Sequence, residues 1–237
     1  MTSAESPAAL SSQFFQCSNP NCTLRFPAPA NYAGKPMLCP RCKSPVHPVP
    51  TRLQVSDFNL HQSAQADNSH LEVLLDNIRS TFNVGAMLRT SDGVGIQRAH
   101  LCGITPQPGN PRISKVALGA EFSVPWEYHT NGVQAASACK TRGLQLWALE
   151  IQRGAVSIFD LPPETLSQPA VLAVGNEVTG IDPEILDLCD QSFYIPMHGY
   201  KRSLNVAIAF GIAVYTLRFG FQNHRKLLDP SSTNTLQ

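Results

Sequence analysis

Four cysteines near the start of the chain are spaced as metal ligands would be. In "CSNPNCTLRFPAPANYAGKPMLCPRC", Cys17, Cys22, Cys39 and Cys42 follow the pattern C-x4-C-x16-C-x2-C. Each pair belongs to a turn rich in Pro, Asn or Gly, so two knuckles can present four thiolates tetrahedrally to Zn²⁺. A segment this short has too little apolar side chain to fold alone, and the metal would supply much of its stability. Residues 1–56 carry Arg25, Lys35, Arg41, Lys43 and Arg52 against Glu5 alone, with Phe26 and Tyr32 nearby. That composition suits contact with RNA, although ribbons of this kind also hold proteins together. Cys102, Cys139 and Cys189 lie in apolar patterns and read as buried small hydrophobes.

Three polar clusters follow, each at the end of an apolar run. "DNIRSTFNVGAMLRTSDGVG" places Asn77 and Asn83 in a loop after a strand. Gly85 then permits close backbone approach at a helix start, and Arg89 follows at i+4 on the same side. An arginine on a helix is, taken alone, more often a solvated charge than a catalyst. "VLAVGNEVTGID" ends a buried strand in Gly175, Asn176 and Glu177, a loop that can offer backbone groups to a nucleotide-like ligand. Glu177 is equally readable as a loop cap. "YIPMHGYKRSLNVAIAFGIAVY" feeds an irregular polar loop into an apolar helix, with Ser203 placed to cap it and Asn205 in its first turn.

The elements that must position these residues alternate. Strand-like "HLEVLLDN", "AHLCGI", "FSVPWEYH", "LQLWALE", "AVLAVGNE" and "QSFYIPM" are interleaved with helix-like "VGAMLRTSDGVG", "VQAASACKTRG", "DPEILDLC" and "SLNVAIAFGIAVYTLRF". "TPQPGNPRISKVALGAE" reads as a long loop. This alternation predicts an α/β domain with a mostly parallel sheet, whose ligands sit beyond the carboxyl ends of the strands. The expected organisation is a cysteine module at 1–56, a polar linker at 57–69, the α/β domain at 70–226 and a flexible tail at 227–237. Across 237 residues the net charge is +1, which excludes a strongly electropositive protein but allows a basic face. No apolar run approaches the ~20 residues that cross a bilayer, and the N-terminus lacks the basic start and apolar core of a signal peptide. A soluble cytoplasmic protein is the expectation, so seven cysteines point to metal or buried thiols.

In this order and spacing, "NIRSTFNVGAMLRT", "VLAVGNEVTGID" and the stretch from Tyr194 to Tyr215 resemble the three motifs of the SpoU/TrmH family of RNA methyltransferases, within the SPOUT superfamily. The resemblance spans roughly Leu71 to Phe219, and the chain has no G-x-G-x-x-G run of a Rossmann enzyme. It implies a parallel sheet with helices on both faces and a C-terminal deep trefoil knot, contrary to the general rule against threaded loops. It further implies a homodimer that transfers a methyl group from S-adenosylmethionine to a ribose 2′-oxygen of tRNA or rRNA. The donor pocket would be Val174, Gly175, Asn176, Ile195, Met197, Gly199, Ser203, Leu204 and Asn205. The catalytic set would be Asn83, Arg89, Glu177, Ser203 and Asn205. An arginine stays protonated at any working pH, so Arg89 is expected to orient an RNA phosphate that takes the proton of the hydroxyl. The chemistry asks for no metal, and any zinc would be structural. Many members carry Asp-Pro before the second Asn of the first motif, where this chain reads "IRSTFN". The alternative is a knotted protein that holds RNA or a ribosomal partner with little or no turnover.

Overall fold

The computed structural model describes residues 12–29, 37–49, 70–162, 165 and 168–220. The expected linker at 57–69 and tail at 227–237 lie outside these residues, as do residues 221–226. The chain divides into two compact units, 1–66 and 67–237.

In the first unit, β1 (Ser12–Cys17) lies between β2 (Arg25–Pro29) and β3 (Val46–Val49) in an antiparallel sheet. The sequence shows little periodicity here because Pro27, Pro29 and Pro48 interrupt it. All three fall on the two edge strands, where a missing N–H is tolerated. Both cysteine knuckles turn the same way. Cys17 N–H donates to Leu24 O at 2.9 Å and Cys39 N–H to Ser44 O at 2.8 Å. The residue after the second cysteine of each knuckle, Thr23 or Lys43, is left-handed, with φ of 49° and 62°.

The second unit runs β4 (Leu71–Asp76), α1 (Thr81–Val94), β5 (Ala99–Cys102), α2 (Pro111–Ala117), α3 (Ala120–Ser123), β6 (Trp126–His129), α4 (Gly132–Thr141) and β7 (Gln145–Leu149). It continues through β8 (Val156–Ser157), β9 (Ala170–Val174), α5 (Pro183–Leu188), β10 (Gln191–Tyr194) and α6 (Val206–Phe219). Its seven strands form a sheet of order β6-β5-β4-β9-β7-β10-β8, paired in parallel throughout.

Side chains alternate across this sheet and build a core on each face. Leu71, Val73 and Leu75 of β4 join Leu172 and Val174 of β9 under Val84, Met87 and Leu88 of α1, Ile113 of α2 and Phe210 and Val214 of α6. Leu74, Val171, Ala173 and Leu146 face the other way, against Ala135, Ala136 and Cys139 of α4 and Ile185 of α5. Helices therefore cover both faces, as the family resemblance implies. Every residue of β9 is buried, because it fills the centre of the sheet. Among the described residues no helix is long and apolar enough to cross a membrane.

Two local expectations fail. The stretch 105–121 is not one loop. Asn110 caps α2, its Oδ1 accepting from Arg112 N–H at 3.0 Å with Pro111 in the first turn, and α3 follows. The strand expected over 122–129 is confined to β6, since Phe122 and Ser123 belong to α3.

Candidate functional site

A helix begins with N–H groups that have no partner within it. At α1, Ser80 is the N-cap and its side chain accepts from Asn83 N–H at 3.3 Å. Glu177, from the loop after β9, satisfies the neighbouring donors. Its Oε2 accepts from Arg79 N–H at 3.0 Å, and its Oε1 accepts from Ser80 N–H at 3.1 Å and Asn83 Nδ2 at 2.9 Å. Burial alone would raise the pKa of Glu177. The N–H groups of Arg79, of Glu177 itself and of Ser80, with the Asn83 amide, outweigh it and hold the carboxyl below its ordinary value.

The same network reaches α6. Asn83 Oδ1 accepts from Asn205 Nδ2 at 3.1 Å, while Asn205 Oδ1 accepts from the N–H groups of Ala207 and Ile208 at 2.9 and 3.3 Å. A continuous chain of hydrogen bonds, Glu177–Asn83–Asn205, thus joins the three polar clusters. It also corrects two expectations. Asn83 sits in the first turn of α1, not in a loop, and the N-cap of α6 is Asn205, not Ser203.

Beside this chain lies a cavity of about 340 Å³, in the size range of small-molecule sites. Gly175, Asn176, Glu177, Ile195, Met197, Ser203, Leu204 and Asn205 all line it. Two expected residues do not. Val174 is buried within β9, and a Cβ built on Gly199 would meet no atom within 4 Å.

The loop after β9 closes tightly. Asn176 and Gly180 exchange backbone hydrogen bonds at 3.0 Å, and Asn176 Oδ1 accepts from Val178 and Thr179 N–H. Gly180 is needed for its left-handed φ of +75°, and Gly175 because a Cβ there would collide with the backbone N of Ile181.

Glu150 lines the cavity too, and so does Arg202, although neither was singled out in the sequence. Glu150 accepts from Ile151 N–H at 3.0 Å and Ile181 N–H at 3.3 Å. Its place just past the carboxyl end of β7 is the signal that could have found it. Arg89 is exposed on α1, does not line the cavity and makes no hydrogen bond or ion pair among the described residues. Gly85 allows a close approach, but by α2: a Cβ would lie 2.9 Å from Ile113 O.

In the first unit the four expected sulfurs come together. Cys17 Sγ lies 3.4 Å from Cys42 Sγ, Cys22 Sγ lies 3.8 Å from Cys39 Sγ, and all four lie within 4.8 Å of one another. Zn–S bonds of about 2.3 Å in a tetrahedron put sulfurs about 3.8 Å apart, so the set fits Zn²⁺. The Ser44 hydroxyl and N–H hold the Cys42 thiol down at about 6, whereas burial pushes the Cys17 thiol up to about 12, so it is the sulfur geometry that carries the fit.

A separate polar cluster is buried between the sheet and α4. Glu72, fully buried on β4, bonds His70 Nε2 and His100 Nε2, each at 2.8 Å, and the Arg142 guanidinium. His100 Nδ1 lies 3.0 Å from His129 Nε2, and Cys139 Sγ lies 3.6 Å from His100 Nε2. Burial raises the pKa of Glu72, but His100, Arg142 and His70 bring it down to about 2. Burial lowers that of His100, but Cys139 and Glu72 push it up to about 9. Cys139 is thus more than the apolar filler expected. Cys102 is buried and Cys189 half-buried.

The parallel sheet, the covered faces and the linked clusters define an α/β enzyme with its site at the strand ends. Residues 70–215, more than half of the chain, match the SpoU rRNA Methylase family, and the chain belongs to it. A tRNA (guanosine(18)-2′-O)-methyltransferase of Aquifex aeolicus is 32% identical over 157 residues, 66% of this chain and 72% of that one. The 23S rRNA (guanosine(2553)-2′-O)-methyltransferase RlmP of Bacillus subtilis is 32% identical over 146 residues, covering 62% of this chain and 57% of RlmP. Among solved structures, the SpoU methyltransferase AviRb from Streptomyces viridochromogenes in complex with AdoMet superposes with a TM-score of 0.56 at 27% identity. That match covers 62% of this chain and 56% of AviRb.

Proposed function

We propose that this chain methylates a ribose 2′-hydroxyl of tRNA or rRNA, using S-adenosylmethionine bound in the cavity between the loop after β9 and the start of α6. The observation that carries the reading is the Glu177–Asn83–Asn205 chain at the rim of that cavity. Names of relatives support the substrate class, and the AdoMet complex of AviRb supports the donor.

The cavity suits a cationic nucleoside. Leu149, Phe193, Ile195 and Leu204 supply apolar wall, while Glu150 and Glu177 supply negative charge. When bound there, the donor supplies an electrophilic methyl group. Asn176 and the backbone from Gly175 to Gly180 bind it, with Ile195, Met197, Ser203, Leu204 and Asn205 completing the wall. Val174 shapes the pocket from within the sheet. Gly199 keeps the approach to it free of side chain.

Arg89 orients an RNA phosphate that accepts the proton of the attacking hydroxyl, since a guanidinium is itself no base. Asn83 fixes the ribose side of the site, held in register by Glu177 and Asn205. The C-terminal segment is threaded as a trefoil knot, consistent with β9 entering between strands already laid down. Two chains pair through α6, whose Ile208, Tyr215 and Phe219 are exposed at positions seven and eleven residues along one stripe. The four cysteines hold one structural Zn²⁺.

The test is transfer of labelled methyl from S-adenosylmethionine to bulk RNA, followed by digestion to nucleosides. Label in 2′-O-methyl nucleosides is expected. Label on a base, or none in RNA, would overturn the reading.

A further inference from the structure

The sheet of the first unit has two unlike faces. Its register puts Phe14 directly opposite Pro27 on β2 and Val49 on β3, and Gln16 directly opposite Arg25 and His47. Directly opposed residues share a face, so these six make two adjacent rows on one side. Phe15 and Cys17 alternate to the other side, where Phe15 is 8% exposed and packs against Phe26 with ring centroids 6.3 Å apart. That side is this unit's small core, and it carries Cys17 of the cysteine cluster.

Among the described residues of its unit, the first face has no such cover. Phe14 is 50% exposed, and Arg25, Pro27 and His47 are exposed around it. A phenylalanine at the centre of a small sheet costs solvation unless something stacks on it. The described residues of this unit include Arg25, Arg41 and Lys43 and neither Asp nor Glu. An aromatic ring beside cationic side chains, with no carboxylate among the described residues to repel phosphate, is the composition of a single-strand stacking platform. Cys17 and the rest of its ligand set belong to the opposite side of β1 from Phe14.

We propose that the face formed by Phe14, Gln16, Arg25, Pro27, His47 and Val49 binds an unpaired segment of the RNA substrate. A base stacks on Phe14, and Arg25 and His47 take the adjoining phosphates. The proposal rests on RNA being the substrate. It commits to single-stranded RNA over a protein partner because a stacked base and paired phosphates use both the ring and the cations.

Full-length, zinc-loaded protein is titrated with a short fluorescent single-stranded oligoribonucleotide and with the same strand annealed to its complement. Phe14→Ala should weaken single-strand binding about tenfold and duplex binding much less. Phe14→Tyr should bind almost as wild type, whereas Phe14→Leu should behave like Phe14→Ala, because leucine has bulk without a π face. Arg25→Ala should weaken binding and lower the slope of log affinity against log salt by about 0.7.

Zinc content and unfolding midpoint identify any variant that simply misfolds, and Phe14→Tyr keeps the test readable. Unchanged affinity in Phe14→Ala, equal losses on duplex, or full binding by Phe14→Leu would each overturn the proposal. The first of these would leave the face to a protein. Normal methyl transfer with unchanged affinity in Phe14→Ala sinks this surface alone. Loss of affinity in Phe14→Ala from a protein that transfers no methyl group to RNA sinks the methyltransferase reading and keeps the surface.

Discussion

Arg89 has no bonding partner among the described residues, whereas both ends of the Asn205 amide are engaged. That difference predicts different losses. Arg89→Ala should abolish methyl transfer while leaving donor affinity and folding near wild type. Arg89→Lys should also be poor, because an ammonium cannot make the planar two-pronged contact to phosphate. Asn205→Ala removes the cap of α6, costing about 1 kcal/mol of stability, and should weaken donor binding as well. Calorimetry with S-adenosylmethionine and single-turnover rates on the variants separate the two roles. Donor affinity lost equally in both would remove Arg89 from the RNA side. The partners at this scale were only partly legible. The three clusters can be read along the chain, but Glu177 reaches α1 across 94 to 98 positions, and no local pattern marks that. Ser203 looked like the cap because it precedes an apolar run. Asn205 takes the place because its extended backbone, at ψ 136°, aims its amide at the next two N–H groups.

Among the elements, the bond between β4, β5 and α4 through Glu72 and His100 makes stability depend on pH. The Glu72 pKa is depressed from 4.5 to about 2, so its contribution is present above 4.5 and lost as pH falls toward 2. His100 is raised from 6.5 to about 9, so its contribution is full below 6.5 and lost as pH rises through 9. His129, held below its ordinary value by burial and by His100, opposes folding on the acid side, which leaves the alkaline limb as the clean test. Thermal unfolding midpoints should fall from pH 6.5 to 9, and His100→Gln should flatten that fall. An unchanged slope in the variant would show that His100 does not titrate there. At α6, the proposed pairing predicts a dimeric parent and a monomeric Ile208→Asp variant by light scattering. A dimeric variant would place the interface elsewhere. Helices with a cap and a first-turn proline were readable, as Asp182 and Pro183 show at α5. The same signal, Asn110 and Pro111, opens α2 and was masked by the surrounding Gly and Pro. Glu72, His100 and Arg142 were not legible as a group, being brought together by the pairing of β4 with β5 and by the packing of the C-terminal end of α4.

At the level of the whole molecule, the two units should fail separately. Cys39→Ser should release zinc and unfold the first unit, while the second keeps its near-ultraviolet signal and its affinity for S-adenosylmethionine. Metal analysis of freshly purified protein that finds no zinc would overturn the metal reading. The layered α/β architecture was the most legible part of the chain, because buried parallel strands and covering helices have different periods. Strand order was not, since periodicity says nothing of who neighbours whom. That order puts β9 between β4 and β7, both of which are synthesised before it. A ribosome therefore releases two apolar strands whose shared neighbour is still inside the exit tunnel. At about 5–20 residues per second, the roughly 20 residues from β7 to β9 keep that gap open for about a second or more. Throughout it, β4 and β7 must avoid pairing with each other, or with those of another nascent chain.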